Sequence, residues 1–561
     1  MAGGSTLAAG RLAVACAFVA QLPFEVRYPL ARIGPIQITN LELTGYVLIL
    51  LWLASIIWGD LTVSRPSRMG VAIGITLIGG LLVTSVLAMY DPRLSVKVTL
   101  RLLAAALVGA ALAAEWRIPQ ARRWLIGAGV AAALVSVALG IFEFVDGWAT
   151  LGPVFDLFRS APVSAGGFAF RATGPLLHPN VAGWYWGVCG ILLLVLAVRS
   201  AGLVRLFAAS SAIVLLIGTT LALSRGALVA TEAVAFVAAA AVREIRRRPP
   251  VAAIIVAAVP CVVLVSALLS PVVAARLRSE TVAEWFRVAI AAPSRVEVSE
   301  PSAIVPVLVR NDGPLLWPAR GEGSPRLSYH LYDAQRRLVT YDGPRTELPA
   351  DLAPGATLTI DARVEAPAAA GTYLVEWDLA QEGSGWFQSL SGGSETPPAT
   401  STVEFRVPSP AAPPGTAGPP DGQQAQDIAR SRALTRTDLW HIAVGYLAER
   451  PLIGIGPDNF RIGYGERIGL TAWDQNFNAT NLYLDVATGV GLVIGCVFLA
   501  WLVAVAIGHL RSAFRYGRSG SIIAAIILAS LLVHGLFDSF LTFSTAMYLL
   551  FTAAFVSADR S

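Results

Sequence analysis

Four polar constellations interrupt an otherwise apolar chain, and each brings side chains able to handle an anion or a hydroxyl group. The first runs Arg171-Ala-Thr-Gly-Pro-Leu-Leu-His178-Pro179-Asn180, and the second is Ser224-Arg225-Gly226. The third opens with Arg436-Thr-Asp-Leu-Trp440 and continues through Arg450-Pro451-Leu-Ile-Gly454-Ile-Gly456-Pro457-Asp-Asn459-Phe460. The fourth is Asn478-Ala-Thr480-Asn481-Leu-Tyr483-Leu484, running into Gly489-Val-Gly491. Arg171, Arg225 and Arg436 suit phosphate recognition, because a guanidinium stays charged and binds phosphate oxygens through a planar two-pronged fork. The bland alternative for each is an arginine that snorkels to an interface or pairs with a carboxylate.

Other chemistries are excluded or disfavoured. The one lysine, Lys97, lies between valines, so no Gly-Lys-Ser/Thr phosphate loop exists and Schiff-base chemistry has almost no candidate. His178, His330, His441, His509 and His534 are scattered, there is no Asp-x-Asp pair, and Cys16, Cys189, Cys261 and Cys496 all sit in apolar runs. No metal site and no cofactor is expected from them. No outward carboxylate pair suggests a glycosidase. The formal charge of +5 implies no nucleic-acid partner, since the arginines punctuate apolar segments instead of forming a stripe.

The elements that carry these groups are membrane helices. Hydrophobic residues make up 55% of the 561 and charged residues 14%, against roughly 25% in a typical soluble protein. Runs long enough to span a bilayer core, ~20 residues each, lie near 7–24, 43–59, 69–89, 97–115, 122–145, 181–198, 203–221, 225–242, 250–270, 481–509, 520–537 and 540–557. That predicts about twelve passes, the first a retained helix despite Arg11 and not a cleaved signal. Arginines in alternate short loops place the N-terminus in the cytoplasm, and with it all four constellations on the outer face. Glu232, about 10 Å deeper than Arg225 along a helix, calls for a partner on another helix, and Arg101 is the candidate.

About 33 of the 79 charges fall between Arg276 and Arg432, marking an insert of another kind. Leu327, Tyr329 and Leu331 alternate with polar neighbours, as do Leu358, Ile360, Ala362 and Val364, then Tyr373, Val375, Trp377 and Leu379. Asn311-Asp312-Gly313-Pro314, Asp342-Gly343-Pro344 and Ala353-Pro354-Gly355 supply the turns. About seven short strands predict an immunoglobulin-like β-sandwich. Trp377 is expected in its core, while Trp386 and Phe387 could instead meet a glycan. The expected organisation is membrane helices over 1–275, an extracytoplasmic sandwich over 290–408, a Pro/Gly/Ala-rich linker over 409–428, an amphipathic helix and loop over 429–480, and membrane helices over 481–561. The fold class is thus an all-α polytopic membrane protein with an inserted all-β sandwich.

The order of the four constellations, with the long outer loop between the second and third, resembles the O-antigen ligase and polymerase superfamily. The most specific parts are Arg436-x-x-x-Trp440 leading to Pro451-Leu-x-Gly454-x-Gly456, then Asn481-x-Tyr483-Leu484 before a glycine-containing helix. The resemblance covers some 400 membrane residues and leaves out the sandwich. It implies a GT-C-type, metal-independent membrane glycosyltransferase. Such an enzyme moves a glycan from an undecaprenyl-diphosphate carrier to a glycan or lipid acceptor at the outer face of the bacterial cytoplasmic membrane. Breaking a glycosyl-diphosphate bond develops negative charge on the leaving group, which fixed cations would stabilise. Arg171, Arg225 and Arg436 are the expected catalytic cations, and His178, Asn180, Trp440, Asn459, Thr480 and Asn481 the expected substrate-binding residues.

One departure matters. Ligases of this family commonly carry a histidine before the asparagine of the fourth motif, proposed to activate the acceptor hydroxyl, and here that residue is Thr480. Threonine is no general base near neutral pH, so a polymerase is favoured over a ligase. His178 could substitute, although capping the Pro179-Asn180 turn is its simpler role. Asp485 and Asp538 are further candidates for binding or deprotonating an acceptor. The competing reading is a polysaccharide transporter or flippase with an outward sensor domain, disfavoured by the lack of an internal repeat and by polar motifs gathered on one side. Cysteine labelling of the insert in intact cells checks the orientation: modification without permeabilisation is expected, and modification only after it would overturn the topology.

Overall fold

A computed structural model describes residues 2–33, 36–59, 61, 68–165, 167–279, 281–321, 323–367, 369–382, 384–391, 399–406, 427–428, 430–431, 434–539 and 541–556. Most of the linker expected over 409–428 lies outside them.

Helices stand at all twelve expected positions. They are α1 (Ala2–Gln21), α2 (Asn40–Ile57), α3 (Arg68–Val86), α4 (Pro92–Trp116), α5 (Pro119–Asp146), α6 (Pro179–Arg199), α7 (Gly202–Leu221), α8 (Arg225–Ala241) and α9 (Pro249–Leu269), and, after the β region, α13 (Leu482–Tyr516), α14 (Ser519–His534) and α15 (Ser544–Phe555). Among the described residues eight are long and apolar enough to cross a membrane, and the segments Thr6–Gln21, Ser519–His534 and Ser544–Phe555 are shorter apolar helices. α8 has 17 residues. The helices of eight or more described residues between these groups are α10 (Pro271–Arg278), α11 (Arg436–Glu449) and α12 (Phe460–Arg467).

Two arginines inside the helical part, Arg11 and Arg101, are paired with carboxylates. Arg11 of α1 pairs with Glu115 of α4 and donates to Ser55 of α2, with Arg11 2% and Glu115 1% exposed. A buried charge left unpaired would be strongly destabilising, so these contacts explain why an arginine is tolerated in an apolar run. Arg101 pairs with Glu42 at 2.8 Å and Glu25 at 3.5 Å and donates to Ser544. It therefore does not serve Glu232 as expected; Glu232 Oε2 is buried without a hydrogen-bond partner.

α13 is broken at Gly491, whose φ of 77° is left-handed. The break frees carbonyls that an apolar setting cannot leave unbonded. The Gly454–Gly456 segment meets that demand: Ile455 N–H donates to Thr488 O at 2.9 Å, Gly456 N–H to Gly489 O at 2.9 Å, and Leu492 N–H to Pro451 O at 2.7 Å. Such close backbone approach requires glycine. A Cβ on Gly491 would lie 2.2 Å from Leu452 O, and one on Gly454 would lie 2.4 Å from Thr488 O.

The insert is a two-sheet β unit with one core. Val288–Ala291, Ser302–Asn311 and Thr357–Glu365 form a three-stranded antiparallel sheet. The second sheet is built on Thr346–Glu347, Pro325–Asp333, Gly371–Gln381, Thr400–Phe405 and Arg295–Val298 in that spatial order, the last pair parallel. Inward residues Val305, Val307, Val309, Ile360, Ala362 and Val364 face Leu327, Tyr329, Leu331, Val375, Trp377 and Val403 across it. The described strands of the two sheets number ten against the expected seven or so, and several are short, among them Leu338–Thr340 and Gly385–Trp386. The unit also starts before residue 290: Phe286 is 3% exposed in its core. Trp377 is buried as expected and donates to Ser401 Oγ at 3.0 Å. Phe387 is buried too, and Trp386 is half-buried between the Arg345 guanidinium and the His330 ring.

The break predicts a contrast within one helix. Gly491→Ala should destabilise the protein by ~2 kcal/mol or more through left-handed strain and overlap. Gly508→Ala, where a Cβ meets nothing within 4 Å, should be neutral or stabilising by up to ~1 kcal/mol. Thermal unfolding of both variants in one detergent checks this, and equal effects would contradict the account of the break.

Candidate functional site

The site is built around the turn between α7 and α8. α7 ends at Leu221, Leu223 takes a left-handed φ of 53°, and Ser224 caps α8 by accepting from Ala227 N–H. Carbonyls at a helix end lack intrahelical donors and carry partial negative charge. Here guanidinium groups meet that need. Arg171 Nε donates to Ala222 O at 2.9 Å, Arg276 Nε donates to Leu223 O at 3.4 Å, and Arg225 is the next residue but one, the first of α8.

The loop bearing Arg171 is anchored from below. Glu143, fully buried on α5, accepts from the N–H groups of Thr173 at 3.0 Å and Gly174 at 2.8 Å and pairs with the buried Arg159, which also donates to Gly174 O. From above, the hairpin Ser164–Ala165/Ala169–Phe170 leads into Arg171, and Phe168 packs on Phe286 of the β unit with ring centroids 5.6 Å apart. A Cβ on Gly167, at φ 71°, would lie 2.0 Å from Gln381 Oε1. The β unit thus abuts the segment that presents Arg171.

A hydrogen-bonded chain then leads to the turn after α14. Arg171 Nη2 donates to Asn180 Oδ1 at 2.9 Å, and Asn180 Nδ2 donates to Asp538 Oδ2 at 2.7 Å. Ser539 N–H donates to Asp538 Oδ1, and Ser539 Oγ donates to Asp485 Oδ2 at 2.6 Å. The fourth constellation is tied to the same turn, since Asn481 Nδ2 donates to Leu536 O and Asn478 Nδ2 to Ser539 O. Asn481 Oδ1 also caps α13 by accepting from Tyr483 and Leu484 N–H.

The electrostatics are lopsided. Arg171, surrounded by protein though partly open to solvent, has its guanidinium pulled down to about 9 by burial and then by the charge of Arg276, with Arg436 adding to the effect. Asp538 is pushed above the ordinary carboxylate range by burial, against the opposing pull of Asn180 and the charges of Arg436 and Arg171. Among the described residues no carboxylate lies within 4 Å of a guanidinium nitrogen of Arg171, Arg276 or Arg436. Arg436, exposed on the first turn of α11, acts on the others through its charge. Positive charge thus predominates at this turn, with Asp538 acting on Arg171 through its charge.

The sequence-predicted residues sort as follows. Arg171, Asn180 and Asn481 belong to one bonded network, and Arg225 and Arg436 border it. His178 caps α6: its Nδ1 accepts from Asn180 N–H at 3.2 Å, and burial followed by the Arg171 charge pulls the imidazole down to about 3. It is neutral near pH 7, and the nitrogen with a lone pair is already occupied. Thr480 has a left-handed φ of 49°, unusual for a β-branched residue, and its Oγ1 is buried without a hydrogen-bond partner, as is the indole N–H of Trp440. Asn459 is not brought to the cluster. It is fully buried and clamps the start of α4, accepting from Tyr90 and Asp91 N–H and donating to Ser95 Oγ. Leu223, Asp458 and Thr480 are three of the four described non-glycine residues with positive φ; Leu223 adjoins the second constellation, and the other two lie within the third and fourth. Strain of this kind persists where the surroundings over-determine it, often at functional sites.

Two residues escaped the sequence reading. Glu143 could have been flagged as an acid inside an apolar run. Arg276 stands among the first charges of the insert and has no local signal separating it from a helix-end arginine.

No family model matches the chain, and no curated protein matches it. Among solved structures, one similar chain is the Pseudomonas fluorescens alkylpurine DNA glycosylase AlkC bound to DNA containing an abasic site analog. It is 11% identical, with a TM-score of 0.14, over 61% of this chain and 100% of that one. At that score the likeness carries no argument.

The capping geometry predicts that His178→Asn, which keeps an N-cap acceptor, retains near wild-type stability, whereas His178→Leu loses ~1 kcal/mol. Thermal unfolding separates them; equal loss in both would assign His178 a role beyond the cap.

Proposed function

We propose that this chain is a metal-independent membrane glycosyltransferase that joins glycans from an undecaprenyl-diphosphate carrier to a glycan or lipid acceptor at the outer face of the bacterial cytoplasmic membrane, acting as a polymerase in preference to a ligase. The observation that carries the reading is the cation cluster at the Ala222–Arg225 turn, with Asp538 reached through Asn180. A diphosphate leaving group needs fixed positive charge that costs no reorganisation at the moment of reaction. If the twelve helix positions are membrane passes and the β unit lies outside, that cluster would sit at the depth of a lipid headgroup, which supports the reading.

In this reading the diphosphate of the donor sits against Arg171, Arg225 and Arg436. The acceptor hydroxyl oxygen forms a bond to the anomeric carbon while the bond to the diphosphate oxygen breaks, and the electron pair leaves with the diphosphate. The hydroxyl proton passes to the Asp538 carboxylate. Asp538 fits the base role better than His178 or Thr480, because it is an acid made more basic by burial while Asn180 and Ser539 hold its orientation. The absence of the family histidine at Thr480 supports polymerisation.

The broken helix α13 is the feature that would favour a transporter, since such breaks hold substrates in many transporters. Its freed carbonyls are consumed by Ile455 and Gly456 N–H, which supports the transferase instead.

Arg225→Ala should insert and fold yet lose ~100-fold or more in transfer, so that carrier-linked glycan accumulates in cells. Wild-type product from Arg171→Ala/Arg225→Ala would contradict the reading. The base assignment gives a pH test. Burial favours the neutral acid, so Asp538 ionises at higher pH than an ordinary carboxyl, and only the ionised form accepts a proton. Transfer by the purified enzyme should rise with pH through an apparent pKa above 3.8, and Asp538→Asn should abolish both rate and slope. A slope that survives Asp538→Asn would remove this residue from the mechanism.

A further inference from the structure

Arg276 is the unexplained cation of the cluster. It lies on α10, the short helix that follows α9 and leads into the β unit, held in place by Ser270, whose Oγ accepts from Val273 N–H. Of the five N–H donors of a guanidinium, Nε meets Leu223 O at 3.4 Å, while Nη1 is buried with no hydrogen-bond partner. Leu223 adjoins Ala222, the acceptor for Arg171, and Arg225 begins the helix that follows. Arg171 and Arg276 therefore approach consecutive carbonyls of one turn through Nε, the nitrogen nearest the chain. Arg171 gives its Nη2 to Asn180, and Arg276 keeps a donor without an acceptor. Burial, followed by the charges of Arg225 and Arg436, pulls its guanidinium down to about 10, so it remains charged near neutral pH.

A helix-end cap does not account for this arrangement. One long bond to a carbonyl leaves the positive charge uncompensated and Nη1 unsatisfied, and a buried donor without an acceptor is costly. An anion lying over the turn would accept from Nη1 and offset the repulsion among the arginines at once. We infer that Arg276 is a further diphosphate-binding residue, completing with Arg171 and Arg225 a three-sided guanidinium cradle on the Ala222–Arg225 turn. The inference rests on the proposed donor chemistry and narrows it, by adding a contact that Arg436 on the other side of the insert does not replace. It also gives the β unit a direct covalent link to the site, since α10 joins Arg276 to the first core residues of that unit.

Binding measured on the purified full chain in lipid nanodiscs tests this, with undecaprenyl diphosphate incorporated in the lipid as one probe and inorganic pyrophosphate as the other. Arg276→Ala should weaken binding at least tenfold at wild-type thermal stability, while Arg278→Ala, on the same helix and exposed, should bind as wild type does. Weakening with both probes assigns Arg276 to the diphosphate itself; weakening with the lipid probe alone assigns it to the carrier-linked form. Arg276→Lys, which keeps the charge and loses the fork, should fall between the two; it decides the matter if the alanine variant does not fold, wild-type binding then overturning the inference. Wild-type affinity in Arg276→Ala alongside weakened binding in Arg225→Ala would overturn the role of Arg276 and leave the donor reading standing. Failure of the wild-type chain to bind either probe would overturn both.

Discussion

Holding several guanidinium groups around one turn is the constraint on which the rest of the site depends. Two like charges 4 Å apart repel by about 4 kcal/mol at the effective dielectric typical of a protein surface. A hydrogen bond from a charged group returns about 1.5 to 3 kcal/mol. Bonds of that size to Ala222 O and Leu223 O would not by themselves offset charges as close as that. The carbonyl end of α7 and Asp538 behind Asn180 supply part of the compensation, while Glu143, paired with Arg159, holds the loop that carries Arg171. In the proposed function an anionic donor supplies the rest, which connects the fold to that chemistry.

The same logic organises the backbone. The left-handed Leu223 turns the chain between α7 and α8, and the carbonyls of Ala222 and Leu223 at that turn are the ones the arginines use. Gly491 breaks α13, and the loop Pro451–Gly456 repairs the break. That pairing explains why two glycine-containing motifs far apart in sequence occur together: each offers backbone groups that only the other can satisfy. Asn459 fixes the same loop to the start of α4, so its importance is architectural.

Much of this was legible in the residues. Apolar run length located the helices, because bilayer thickness and helical rise leave little freedom, and alternation located the paired strands, as the burial of Val305, Val307 and Val309 illustrates. The polar constellations were visible because charge is scarce among apolar residues. Partnership was not legible. Depth along the sequence suggests Arg101 for Glu232, yet Arg101 joins Glu42 and Glu25, since depth alone gives no rotation about a helix axis. Asn459 and Asn180 look alike as loop asparagines, yet one is walled in and the other joins Arg171 to Asp538. Arg276 was hidden because its meaning comes from a turn 53 residues earlier in the chain.

The central claim is that bonds are made and broken at this cluster, not merely that a lipid-linked glycan passes it. Purified chain in nanodiscs, supplied with an undecaprenyl-diphosphate-linked oligosaccharide, allows both products to be followed by mass spectrometry. The account predicts release of glycan-free undecaprenyl diphosphate, matched one for one by new glycosidic bonds. Carrier-linked oligosaccharide that stays unchanged in mass while it redistributes across the bilayer of a proteoliposome would contradict it.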